Sequence, residues 1–286
     1  MTAAAEPAPL STTGSPDAAL AALRDEIDRL DDAIHDLLQR RAEVVATLAS
    51  SRIKRGTGPL RPGREAMILR RLLARHGGPL PAGAVVQIWH EIISASSGLQ
   101  GGYTVALHAR DEAGLLLARD HFGGAITLRP LPSLAAALSA LSAGEAQVAV
   151  LPLPEEGEAP ERAWWTALDA PRLQVAARLP FWRPAGYAGP EALVVILGAP
   201  DPSGADRSLL RIEAAAEAGR AALLAGLEAA GLPALSLLLR REAGHALALA
   251  EIEGVVEAGD PRLAQLPFAH VLPLGFHAVP ASGDLG

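Results

Sequence analysis

The sequence predicts a multi-domain protein: an all-α unit, then an α/β unit, then a ferredoxin-like α+β unit. Three observations predict it. Apolar residues recur at Leu23, Ile27, Leu30, Ile34, Leu37, Val44 and Leu48 in alternating steps of four and three, the seam of one long coiled-coil-like helix. After Gly101-Gly102 that period gives way to short apolar runs alternating with helical stretches. The last stretch runs strand, helix, strand, strand, helix, strand, which is the split βαβ order.

The elements follow in turn. Residues 1–16 have neither a basic n-region nor an apolar h-region and read as a flexible tail, not a secretory signal. The first helix starts at Asp17 and ends in the basic, Gly-rich stretch Arg52-Ile53-Lys54-Arg55-Gly56-Thr57-Gly58. A second starts near Pro62, where a first-turn proline costs nothing, and stops at Gly77-Gly78-Pro79. A third runs from near Pro81 through Trp89 to about Leu99, so the all-α unit takes residues 17–101. A helix of some 30 residues is about 45 Å long. One such unit cannot cover it on all sides, and a homodimer is expected.

Between 103 and 198, TVALHA, AITLRPL and QVAVLPL read as strands alternating with helices at Glu112–His121 and Ser133–Ala143, a small and mostly parallel sheet. Residues 154–172 are Pro/Glu-rich and loop-like, with Trp164-Trp165 as a packing pair. Strands follow at Leu173–Leu179 and Ala192–Leu197. Ala199–Ala205 is a linker by composition. Between 206 and 280 come strand SLLRIEA, helix Arg220–Ala230, strands ALSLLLRR and HALALAEIE, a short helix at Pro261–Gln265 and strand HVLPLGFHA.

Composition narrows the chemistry. The 286 residues are 50% hydrophobic but 3% aromatic, so the core is built from Ala, Leu, Val and Ile. A net charge of -7 fits a soluble globular chain and argues against a nucleic-acid partner. The absence of cysteine excludes disulfides, thiolate nucleophiles, Cys-ligated zinc and iron–sulfur clusters. Lys54 is the single lysine, and the eight histidines show no metal-ligand spacing. Neither a Walker nor a dinucleotide glycine pattern is present, and no run reaches the ~20 apolar residues of a membrane span. A cytoplasmic protein with no metal, no cofactor and no membrane partner is expected.

Between Arg40 and Arg75 there are ten Lys/Arg against two acids, Glu43 and Glu65. A solvated basic face is the plain account; helical phase argues against it. Arg41 falls on the seam between Leu37 and Val44, and Arg52 lies three turns on at nearly the same angle, roughly 16 Å away. Charges on an inward stripe are costly unless an anion waits there. In the third helix Val85, Trp89 and Ile92/Ile93 set the stripe, and Ser96 and Gln100 fall on it, although a helix end facing water would also account for them. With Arg64-Glu65 opening the second helix, these residues outline a polar pocket inside a helical dimer, rich in positive charge and suited to a small dianion.

The strings LRDEIDRLDDAIHDLLQRRAEV, PLRPGREAMILRRL and IWHEIISASSGLQ resemble the all-helical class of chorismate mutases over about residues 18–101. That resemblance implies isomerisation of chorismate to prephenate, a unimolecular rearrangement needing no acid, base, nucleophile or metal. The enzyme has only to hold the reactive conformer and stabilise charge on the ether oxygen. It implies that Arg24, reaching over from the partner subunit, and Arg41 clamp the carboxylates. Arg52, at a position usually held by lysine, and Gln100 donate to the ether oxygen. Lys54 takes the place of Arg52 if the register shifts slightly. Glu65 accepts from the substrate hydroxyl, and Arg64 and Ser96 complete the binding set. Arg61 stands where an acidic residue is usual.

The middle unit resembles part of a prephenate dehydratase and the last an ACT regulatory domain, the order of the bifunctional P-proteins. Pro152 matches the dehydratase pattern, while Pro154 and Glu155 replace its Glu-Asn, and its Thr-Arg-Phe falls on Glu191-Ala192-Leu193. The expectation is therefore a mutase that has lost dehydratase activity. AAEAGRAALLAGLEAAGL, EIEG and VLPLGFHA carry the ACT likeness, while the Glu-Ser-Arg-Pro motif is replaced near Leu238-Leu239-Arg240-Arg241. An amino-acid effector site and a packing or dimerisation module are both open there. The alternatives for the whole chain are a bifunctional mutase/dehydratase, a non-catalytic ligand-binding regulator of the aromatic pathway, and a helical lyase acting on isochorismate.

Overall fold

The computed structural model describes residues 15–51, 60–242 and 244–283. Most of the expected tail, and the stretch carrying Arg52 and Lys54, lie outside them. The chain divides into two compact units, residues 1–55 and 56–286.

The described part of the first unit is a single helix, α1 (Pro16–Ser50). Ser15 caps it, accepting from the Ala18 N–H at 3.4 Å, Pro16 occupies the first turn, and Asp17 complements the positive end of the dipole. Hydroxyls close the last turn, Ser50 donating to Thr47 O and Ser51 to Leu48 O. None of its residues is buried: the predicted seam lies open, from Leu23 at 50% exposed to Leu37 at 67%.

The second unit begins with α2 (Pro62–Ala74) and α3 (Ala82–Leu99). Then come β1 (Thr104–Leu107), α4 (Glu112–Phe122), β2 (Thr127–Pro130), α5 (Leu134–Ser142), β3 (Val148–Pro152), β4 (Leu173–Leu179), β5 (Trp182–Pro184) and β6 (Ala192–Leu197). β7 (Asp206–Ala215), α6 (Arg220–Ala229), β8 (Ala234–Glu242), β9 (His245–Glu253), β10 (His270–Ala278) and β11 (Ala281–Gly283) complete it. Nine strands form one sheet in the order β2-β1-β3-β6-β4-β10-β7-β9-β8. The first three are parallel as expected, but β6 runs antiparallel to both β3 and β4. The last four strands keep the ferredoxin-like order, with the fourth beside the first and the third between the first and second. α4 packs on one face of the first half, α5 and the buried Trp164-Trp165 pair on the other, and α6 on the second half.

β10 joins the halves, antiparallel to β7 and parallel to β4 through Gly275 opposite Val175. A Cβ at Gly275 would sit 2.3 Å from the Val175 carbonyl oxygen, and its φ of 114° is one that glycine alone adopts readily. An ionic cluster stitches the same seam. Glu251 on β9 lies 3.1 Å from Arg178 on β4, 3.6 Å from Arg207 on β7 and 3.4 Å from His277 Nε2 on β10. The His277 approach is too poorly aligned for a hydrogen bond. Burial alone would raise the Glu251 pKa; the His277 ring and the two guanidinium groups pull it down to about 2.

α2 sits on residues 201–206, which overlap the expected 199–205 linker. Arg61 at the N-cap makes no side-chain cap. Asp201 does the capping instead, accepting from the Gly63 and Arg64 N–H groups at 3.2 and 3.1 Å and pairing with Arg61 at 3.3 Å. The approach is close enough that a Cβ on Gly63 would lie 2.1 Å from Asp201 O. About two turns on, Arg70 donates to Ser203 O and Oγ, Ala205 O and Val279 O, with its guanidinium over the Phe181 ring. Ala66 and Leu69 pack with Val86, Phe181 and Ala278 below it. α3 lies against α4 through His90 and His121, whose rings meet edge to face at 4.8 Å.

Candidate active site

The expected mutase residues divide between the two units. Arg24 and Arg41 lie on α1, Arg24 exposed and Arg41 partly buried, where burial lowers the guanidinium pKa. Seventeen residues of helix separate them by about 25 Å along the axis. Arg52 lies outside the described residues, as does Lys54.

The other four lie in the second unit. Arg64 is exposed in the first turn of α2, its N–H taken by Asp201. Glu65 follows, partly buried at the edge of the packed face that carries Ala66 and Leu69. Burial pushes its pKa up to about 7; the Arg61 backbone N–H opposes the shift and the Asp201 charge adds to it. Tyr103 stands near enough that Glu65 reinforces the rise that burial imposes on its phenol. A small cavity of about 20 Å³ opens beside Glu65, shared with His121 and Arg178. On α3 the two stripe residues are brought together: Gln100 Nε2 donates to Ser96 O at 3.0 Å, and buried Ser96 donates its hydroxyl to Ile92 O at 2.6 Å. Among the described residues no three metal-ligand side chains gather, and no helix is long and apolar enough to cross a membrane.

The dehydratase-like positions meet elsewhere. β1 has β2 on one side and β3 on the other, with α4 and α5 on opposite faces, so the carboxyl ends of β1 and β3 form a topological switch point. A cavity of about 490 Å³ lies there, lined by Pro152, Glu155, Glu191 and Ala192 among others. Its acids are engaged. Glu155 pairs with Arg110, Asp111 caps α4 through the Gly114 N–H, and Glu191 accepts from Arg178 at 2.7 Å and Arg183 at 2.5 Å. In the last unit the stretch 238–241 is also occupied from within. The Glu156 carboxylate accepts from Leu239 N–H and from Arg220, and Arg240 donates to Glu158 O.

Sequence reasoning missed Arg70, Asp201 and His121. Arg70 had a signal, since it falls on the apolar stripe between Leu69 and Leu73, the same anomaly that singles out Arg41. Asp201 and His121 act from distant segments and had none.

Residues 23–101 match the family described as chorismate mutase type II. A bifunctional chorismate mutase/prephenate dehydratase of Pseudomonas aeruginosa is 30% identical over 145 residues. That alignment covers 49% of this chain and 40% of the relative, so the match spans well under half the relative's length. Among solved structures, a protein described as a novel type of quorum quenching acylase aligns at a TM-score of 0.46 and 18% identity, over 61% of this chain and 94% of that one. A prephenate dehydratase from Arthrobacter aurescens, solved with L-Phe, aligns at 0.46 and 16%, over 61% and 89%. All six described members of the predicted site set fall within the matched stretch, and residues 23–101 of this chain constitute a chorismate mutase type II domain.

Proposed function

We propose that the chain isomerises chorismate to prephenate in a homodimer. The observation that carries this reading is the match of residues 23–101 to the mutase family, a stretch that contains Arg24, Arg41, Arg64, Glu65, Ser96 and Gln100. In the reaction one C–O bond breaks and one C–C bond forms within a single molecule, so binding in the folded conformer and donors at the ether oxygen suffice. Arg24 and Arg41 cannot clamp one small dianion from the same straight helix at about 25 Å separation. An antiparallel second copy of α1 would bring the partner's Arg24 beside Arg41, and would cover the open seam from Leu23 to Leu48. Arg52, or Lys54, would serve the ether oxygen with Gln100, and Glu65 would accept from the hydroxyl.

Dehydratase activity is absent on this reading. Elimination needs an acid for the leaving hydroxyl. Glu191 is already engaged by the Arg178 and Arg183 guanidinium groups, and Ala192 offers no donor. A bifunctional enzyme is the second reading, favoured by the relative's description. Purified protein given chorismate separates them. Prephenate accumulating alone supports the first, phenylpyruvate the second, and no consumption refutes both.

A further inference from the structure

The small cavity beside Glu65 has a second polar wall that the mutase reading does not use. It measures about 20 Å³, enough for one water molecule. Three ionisable side chains line it, Glu65 from α2, His121 from α4 and Arg178 from β4, among apolar groups such as Leu69 and Phe181. Arg178 is committed to Glu191 and Glu251. Nδ1 of His121 is buried and, among the described residues, makes no hydrogen bond. The ring is fixed all the same, edge to face with His90 and with Phe122 at 4.8 Å each, while His90 anchors its own Nδ1 at Asp120 O, 3.0 Å away. A buried polar nitrogen left without a partner is destabilising, so a water that satisfies it is held there.

We propose that one water molecule occupies this cavity between His121 and Glu65, and that His121 is a positioning residue which, through that water, holds the Glu65 carboxylate oriented and ionised for a ligand hydroxyl. This rests on the reading of Glu65 as hydroxyl acceptor. Burial drives the pKa of His121 well below the usual imidazole value, with the neighbouring His90 adding to the fall. The ring is therefore neutral and can donate one proton from Nδ1. The groups around Glu65 are the Arg61 backbone N–H, Asp201 from the segment that caps α2, Tyr103, His121 and Arg178; behind His121 stands His90, whose own pKa burial lowers to about 4. Of these, Glu65 is the group whose perturbed value lies near neutrality.

A carboxylate accepts the hydroxyl when ionised, so turnover rises with pH through the Glu65 pKa. Removing the donor raises that pKa. The test is kcat and KM for chorismate isomerisation by the full chain between about pH 5 and 9, for the native protein, Glu65→Gln, His121→Leu and His121→Asn, whose amide can replace an Nδ1 donor. The native acid limb is expected below the value of about 7 that burial sets for Glu65 without a bridging water. It moves up by about one pH unit in His121→Leu, the size of one lost carboxylate hydrogen bond. KM suffers more than kcat, rates converge at high pH, and His121→Asn restores the limb. An unmoved limb in His121→Leu, with the limb lost in Glu65→Gln, overturns the water bridge and leaves the role of Glu65 standing. A loss equal at every pH reduces His121 to packing and overturns it too. Native rates and an intact limb in Glu65→Gln overturn the reading of Glu65 itself.

Discussion

Replacing Glu251 by glutamine tests the ionic cluster that stitches β4, β10 and β7 to β9. The Glu251 side chain is 8% exposed, against 16% for Arg178 and 1% for His277, so solvent screens the cluster little. Its folded pKa of about 2 lies below the ordinary 4.5. A depressed carboxylate contributes stability that is fully present above its unfolded value and is lost as pH falls through the folded one. From 4.5 to about 2 the difference amounts to about 3 kcal/mol at neutral pH, falling to about half of that near pH 3. Glutamine keeps the size and one acceptor but removes the charge, stranding Arg178 and Arg207 beside a neutral group. Urea unfolding of native protein and Glu251→Gln at pH 7 and near pH 3 reads both numbers. A gap of about 3 kcal/mol at neutral pH that shrinks in acid is expected. A gap that stays the same at both pH values would refute the electrostatic account and leave packing alone as the cause.

Three further outcomes follow from the geometry. Arg41→Ala should lower turnover by about two orders of magnitude or more with an unchanged far-ultraviolet dichroism spectrum, since one charged donor to a carboxylate is lost in a low-dielectric site; native rates would remove Arg41 from the clamp. Asp201→Ala should cost about 1 kcal/mol through loss of the α2 cap, and should also move the acid limb of activity downward, because the Asp201 charge helps raise Glu65; a limb moving upward would contradict the assigned sign. Charging the open seam with Leu30→Glu and Ile34→Glu should leave α1 without a partner, so light scattering should report monomer and activity should vanish with it.

Local patterns in the sequence were enough for some elements and not for others. The α1 seam was legible because its period repeats over many turns, and β4, β6, β9 and β10 because each apolar run is bounded by turn residues. The fusion of two expected sheets into one was not, since pairing of β10 with β4 joins residues about a hundred positions apart and leaves no local pattern. Its one trace is Gly275, a glycine inside a strand where a neighbouring backbone comes close. β5 and β11, three residues each, were too short to register a period. The site divides in the same way. Helical phase singled out Arg41, Arg52, Ser96 and Gln100, the Arg64-Glu65 pair joined them from the start of the second helix, and the family resemblance added Arg24. The side chains that line the cavity beside Glu65 come from β4 and α4, and Asp201 from the 199–205 segment; only the folded chain brings them together.

β10 occupies the middle of the nine-stranded sheet although it is almost the last strand the chain encodes. A ribosome therefore releases β4 and β7 as two facing, unpaired edges, and these wait until residue 278 has emerged before either is closed. Throughout that interval the nascent chain carries an unfilled slot one strand wide, to which the corresponding strand of a neighbouring copy has the same complementarity as its own.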